Sequence, residues 1–106
     1  MSVDLIIDWP GGNTEVVPLA SYRGMSEGWK TKAEGLGLKW IPLFHSFLPI
    51  HADNLAQVLD ETRVFREEVV RLGKDYEQWL ESVDRMIAAL ERLKQLPPNT
   101  WSASVG

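Results

Sequence analysis

A chain of 106 residues, 44% hydrophobic and 25% charged, has room for one domain with one core and is too apolar to be disordered. Its net charge of −4 is shared by both halves, four Lys/Arg against five Asp/Glu in residues 1–50 and seven against ten in 51–106. That excludes a domain-scale basic patch able to displace counterions from nucleic acid. With no cysteine there is neither a disulfide framework nor a thiolate metal site. No run nears the ~18 apolar residues of a membrane span, and "MSVDLIIDW" has no basic leader, so the expected location is the cytoplasm.

The first element is a strand. In "VDLIIDW", Val3, Leu5, Ile7 and Trp9 alternate with Asp4, Ile6 and Asp8, the period of a half-buried strand. "PGGN" follows, with Pro10 and Gly11 suited to the central positions of a type II turn. "TEVVPL" then returns as the second strand of a hairpin, and Pro18 limits its length or places it at a sheet edge. In "SYRGMSEGWKTKAEGLGLKW", Tyr22, Met25, Trp29, Ala33 and Leu36 fall at helical spacing. Gly24 and Gly28 each cost about 1 kcal/mol relative to alanine there, so the helix is short and weak. Gly35 is placed for a left-handed cap, with Leu36 packing beneath it.

"KWIPLFHSFLPIHADN" reads as an irregular lid, turned by Pro42 and Pro49. Trp40, Ile41, Leu43, Phe44, Phe47, Leu48 and Ile50 cap the core, and the chain is delivered to a helix opening near His51. Asp53 and Asn54 suit that helix's positive end. Leu55, Val58, Leu59, Thr62, Phe65, Val69 and Leu72 form one helical stripe; Tyr76, Trp79, Leu80, Val83, Ile87, Leu90 and Leu93 form another. Glu67–Arg71 and Glu81–Arg85 have the favourable i,i+4 order. As a single helix, residues 53 to 94 would be roughly 60 Å long, against a radius of gyration near 13 Å for a domain of this size. A stop at Gly73 with Asp75 as the next N-cap gives an antiparallel helical hairpin instead. After "LPPNT", "TWSASVG" supplies a last short strand with Trp101, Ala103 and Val105 on one face. The expected fold is a single α+β domain over residues 1–106: a small antiparallel sheet with the helical hairpin packed on one face.

Candidate chemistry is sparse. His45, His51 and Asp53 are suitable ligand types for a metal, but five residues including Pro49 separate the histidines, and no regular element presents both on one side. Ser46 beside His45 lacks the geometry of a nucleophile and its base. The acidic pairs Asp60/Glu61 and Glu67/Glu68 lie on the polar side of an amphipathic helix and read as solvated. "GMSEGWKT" lacks the spacing of a phosphate loop. No cofactor is implied. The tryptophans say more: Trp9 and Trp79 have structural slots, whereas Trp29, Trp40 and Trp101 lie in less regular segments. Trp, Tyr and Arg most often anchor protein interfaces, so Tyr22, Arg23, Trp29, Trp40 and Trp101 are the expected partner-binding residues. Val64, Val70 and Met86, off the main stripes, offer a homodimer contact through the helical hairpin.

The favoured function is therefore a non-catalytic protein-binding module. The alternatives are a regulatory domain with a tryptophan-lined small-molecule pocket and a metal-dependent enzyme using His45, His51 and Asp53. The hairpin "VDLIIDWPGGNTEVVPL", the segment "WIPLFHSFLPIHADN" leading into a long helix, and the second helix "YEQWLESVDRMIAALERL" together resemble the small acidic immunity proteins of bacterial toxin systems. That resemblance implies tight, stoichiometric binding to a toxin or other effector protein, which it blocks.

Overall fold

A computed structural model describes residues 1–106. Two strands open it, β1 (Ser2–Asp8) and β2 (Thr14–Ser21). The Gly12 N–H returns to the Trp9 carbonyl at 3.2 Å, and Gly11 has φ 97°, the positive value that a type II turn demands at its third position. A single π-helical stretch, Gly24–Trp29, runs into the short helix α1 (Lys30–Gly35). After a 3₁₀ turn at Ile41–Leu43 come β3 (Leu48–Ile50), α2 (Leu55–Leu72), α3 (Glu77–Lys94) and β4 (Ser102–Val105). The fold is α+β: one four-stranded antiparallel sheet in the order β2-β1-β4-β3, with α2 and α3 forming a hairpin.

The alternation in β1 sorts its side chains as expected. Val3, Leu5 and Ile7 are buried, and the core continues through Val17, Leu19, Ile50 and Val105 into the inner faces of α2 and α3. The opposite sheet face is mixed: Ile6, Val16 and Pro18 lie on it, and Thr14 and Ser102 both donate to the Asp8 carboxylate, at 2.7 and 3.1 Å. Both strand prolines, Pro18 and Pro49, fall on edge strands, where no inner ladder bond is lost. β3 was not foreseen. The segment expected to lie over the sheet instead contributes three residues to its edge.

Other expectations shift by a residue or two. The left-handed cap of α1 is Gly37, at φ 75°, not Gly35. Gly37 N–H bonds to the Glu34 carbonyl (3.0 Å) and Leu38 N–H to that of Ala33 (2.9 Å), so Leu38 makes the return contact and Leu36 is exposed. Asp75 is not an N-cap; it lies inside a 3₁₀ turn, Lys74–Tyr76, that follows Gly73 at φ 91°. Arg71 pairs with Glu68 rather than Glu67, while the Arg85–Glu81 pair is present at 2.6 Å. Arg66–Asp84 at 2.5 Å and Arg63–Glu91 link α2 to α3. The hydrogen bond to Asp84, then its charge, raises the Arg66 pKa.

Gly28 turns out to be required rather than merely tolerated. A β-carbon there would come within 2.7 Å of Trp79 Cζ2, because the indole of α3 lies directly on the Gly28 backbone. Gly28→Ala gains up to ~1 kcal/mol in helix propensity but forces Trp79 from a packed position, a cost of about 1–3 kcal/mol. The expected net result is a lower midpoint in urea with an unchanged slope, measured by tryptophan fluorescence.

Candidate interaction surface

The end of the sheet where β2 finishes and β3 begins carries the most exposed aromatic side chains of the molecule. Phe47 is 58% exposed, Tyr22 47% and Leu43 43%. They reach this end by different routes. Tyr22 directly follows β2, and its N–H donates to the Met1 carbonyl at 3.1 Å. Leu43 and Phe47 belong to one turn, in which the Ser46 and Phe47 N–H groups both donate to the Leu43 carbonyl, at 3.1 and 3.3 Å. His45, half-buried between them, stands 6.3 Å from Tyr22, ring to ring.

Phe47 is held at φ 149°, outside the regions that a bulky L-residue ordinarily adopts. Its ring lies against Gly106, where an added β-carbon would approach Cδ1 to 2.9 Å. The turn is therefore a strained backbone presenting a large apolar side chain to solvent, a combination that a fold retains only where its surroundings impose it.

What imposes it lies partly on α2. The Glu61 carboxylate accepts three consecutive backbone N–H groups, from Lys39 (2.7 Å), Trp40 (2.8 Å) and Ile41 (3.2 Å). This acceptor cluster starts the 3₁₀ turn that leads to Leu43 and Phe47. Glu61→Ala leaves three orphan donors, two of them half-buried, and should cost about 2 kcal/mol of stability; Glu61→Gln, which keeps one acceptor, should cost less. Chemical denaturation of the two variants side by side checks the order.

The acidic pairs divide accordingly. Asp60 and Glu67 are exposed, whereas Glu61 is half-buried and Glu68 is buried beneath a bidentate Arg71 at 2.7–2.9 Å. The reading of all four as solvated is corrected for these two. Both are structural acceptors.

The residues expected to bind a partner do not form one surface. Tyr22 is in the patch, and Arg23 is beside it in sequence, exposed and paired to Glu27 at 2.9 Å. Trp29 is fully buried, 5.0 Å from Phe65 and 6.1 Å from Trp79, so its assignment to an interface is corrected: it is core. Trp40 is half-buried near the start of α2, its indole N–H on Gln57 Oε1 at 3.1 Å. Trp101 is half-buried elsewhere, beside a cavity of about 230 Å³ shared with Leu55, Leu93, Leu96 and Pro98 and with no other tryptophan.

His45, His51 and Asp53 are not assembled, and no group of three His, Asp or Glu side chains is placed to hold a metal ion. His45 Nδ1 is 3.0 Å from the Pro42 carbonyl, and Nε2 is 3.4 Å from Ser46 Oγ; no carboxylate orients the ring. Met86 is fully buried, and Val64 and Val70 are about 120° apart around α2. The three residues therefore do not share one exposed patch; only Val64 and Val70 are open to solvent.

Phe47 and Leu43 are the residues that sequence reasoning misplaced, having been assigned to the core lid. The available signal was the two-residue period of "FLPI". Once Leu48 and Ile50 face the core, Phe47 and Pro49 must face away.

No family model matches the chain, and no curated protein or solved structure shows significant similarity to it. No helix is long and apolar enough to cross a membrane.

Proposed function

We propose that this chain is a non-catalytic protein-binding module of the immunity type, acting in the cytoplasm, that docks and blocks a partner protein through the surface formed by Phe47, Leu43 and Tyr22. The observation that carries this reading is Phe47, more than half exposed and held at a positive φ on a turn that Glu61 anchors from α2. An aromatic anchor ringed by smaller apolar and polar groups is the arrangement on which binding energy concentrates in protein interfaces. Here His45 and Ser46 share the turn with Phe47, and Arg23 follows Tyr22 in the chain, as the adjoining polar residues. The net charge of −4 has the sign that favours a basic toxin as partner.

The test is affinity capture from the host cytosol with the wild-type chain and Phe47→Gly in parallel. The expected result is one dominant protein at near-equimolar ratio with the wild type and none with the variant. Retention of the same protein by both would move the interface elsewhere, and repeated capture of nothing would remove the reading.

A further inference from the structure

The free edge of β2 has a specific hydrogen-bonding pattern. Trp9 N–H donates to the Asn13 carbonyl at 2.8 Å, and Asp4 and Gly106 exchange both their backbone bonds at 3.2 and 3.0 Å. Bonded and non-bonded pairs alternate in an antiparallel ladder. Odd-numbered residues of β1 therefore bond to β2, and even-numbered ones to β4. In the observed register Asp8, Ile6 and Asp4 lie opposite Thr14, Val16 and Pro18. These three residues must turn their backbone groups outward. All three are exposed, and no turn, loop or side-chain group bonds to their backbones. The edge thus offers two donors, the N–H groups of Thr14 and Val16, and three carbonyl acceptors. α3 packs along β2, with Arg92 Nη1 3.5 Å from Glu15 Oε1, but Thr14, Val16 and Pro18 stay exposed, and Val16 and Pro18 border an open cleft of about 350 Å³ together with Arg85 and Ala89.

We propose that this edge is a self-association surface, on which a second copy pairs its β2 antiparallel about a twofold axis at Val16. In that register the two Val16 residues exchange two bonds, and each Thr14 N–H meets the Pro18 carbonyl of the other copy. All four free donors of the pair are satisfied. Centring the axis on Pro18 puts a residue without an N–H at the axis and makes no bonds there. The side chains agree with the choice. Val16, 55% exposed, gains a directly opposite β-branched neighbour, and Glu15 falls opposite Val17, so no like charges meet. The interface is isologous and closes on itself. The sheet does not grow further, because the other edge, β3, is three residues long with Pro49 at its centre. Pro18 and the bulge next to it confine pairing to Thr14–Pro18, so the dimer is a weak one.

The test is sedimentation equilibrium of the full chain and two variants, with oxidative cross-linking of two cysteine variants beside it. The wild type should dimerise with a Kd at or below about 1 mM, and Phe47→Gly should behave identically, since its surface is separate. Val16→Lys, an exposed position, should keep its circular dichroism and weaken the dimer at least tenfold. Val16→Cys, in a chain with no other cysteine, should form a disulfide-linked dimer under mild oxidation, because bonded pairs stand about 5.5 Å apart between Cα atoms. Thr14→Cys should not, its twofold mate being about 14 Å away. A wild type that stays monomeric to that concentration, a Val16→Lys dimer of undiminished strength, or equal cross-linking by the two cysteine variants would each overturn the proposal.

Discussion

Phe47→Gly is expected to raise the stability of the fold by about 1 kcal/mol while weakening partner binding by about 100-fold. The two effects have separate causes and opposite signs. At φ 149° a phenylalanine stores strain of order 1–3 kcal/mol, which glycine releases. Against this stands the greater freedom of glycine in the unfolded chain, about 0.5–1 kcal/mol. Little is lost from packing, because more than half of the side chain is already in solvent. The net gain corresponds to a rise in Tm of about 4–8 °C for a domain of this size. Binding follows the ring instead. Removal of an aromatic anchor costs 2 kcal/mol or more, and about 3 kcal/mol is 100-fold. Phe47→Ala separates the two terms, keeping the strain while losing the ring: it should match the glycine variant in binding and show no gain in Tm. Leu43→Ala and Tyr22→Ala should bind more weakly than wild type, though less weakly than either Phe47 variant. If Phe47→Gly instead destabilised the fold by 2 kcal/mol or more, Phe47 would be a packing residue and the surface would lose its anchor.

The regular elements were legible because each carries a period that its burial obeys. β1 alternates, the α2 stripe is buried nearly as written, and Pro10-Gly11 forms the turn that its residue types require. In α3 the buried line is Val83, Met86, Ala89, Leu90 and Leu93, with Trp79, Leu80 and Ile87 half-buried beside it. β3 was not, since three residues around a proline establish no period. It becomes a strand only because β4 lies beside it, and that neighbour is more than fifty residues away in sequence. The same limit hid the surface. Phe44 is buried and Phe47 is not, and the period that sets Phe47 outward can be read only once Leu48 and Ile50 are known to face the core. Trp29 erred in the opposite direction: its spacing from Met25 and Ala33 already placed it in the core, and only the irregularity of its segment suggested an interface. Glu61 and Glu68 show a subtler pattern. They lie one heptad apart at the border of the α2 stripe, where a carboxylate can reach backbone or arginine across a packing seam. Helical amphipathicity alone assigns such border positions to solvent.

The largest stability loss should come from Phe65→Ala, about 3–5 kcal/mol out of a total that for a domain of this kind is about 5–15 kcal/mol. Phe65 is fully buried where α2 meets both α3 and the π-helical stretch. Its ring is stacked on Trp79 at 6.1 Å and 14°, and lies 5.0 Å from Trp29. Tyr76 closes the group edge-on to Trp79 at 5.0 Å. Trp29, whose indole N–H has no acceptor in the protein, contributes there through its ring faces. Deleting the Phe65 ring leaves a cavity between two indoles that the backbones of three elements hold apart, so the site cannot collapse fully. Phe65→Leu refills most of the volume and should cost less than half as much. The cluster makes a sharper prediction through Gly28, whose backbone also bears on Trp79. In the wild type, Gly28→Ala must displace a Trp79 indole that is already packed on the Phe65 ring. In the Phe65→Ala background the indole has room to retreat. The cost of Gly28→Ala should therefore fall, giving a coupling of about 0.5–3 kcal/mol between residues that share a neighbour. Additive losses in the double-mutant cycle, read from urea midpoints, would show instead that Trp79 does not transmit strain between them and that Gly28 is retained for its backbone alone.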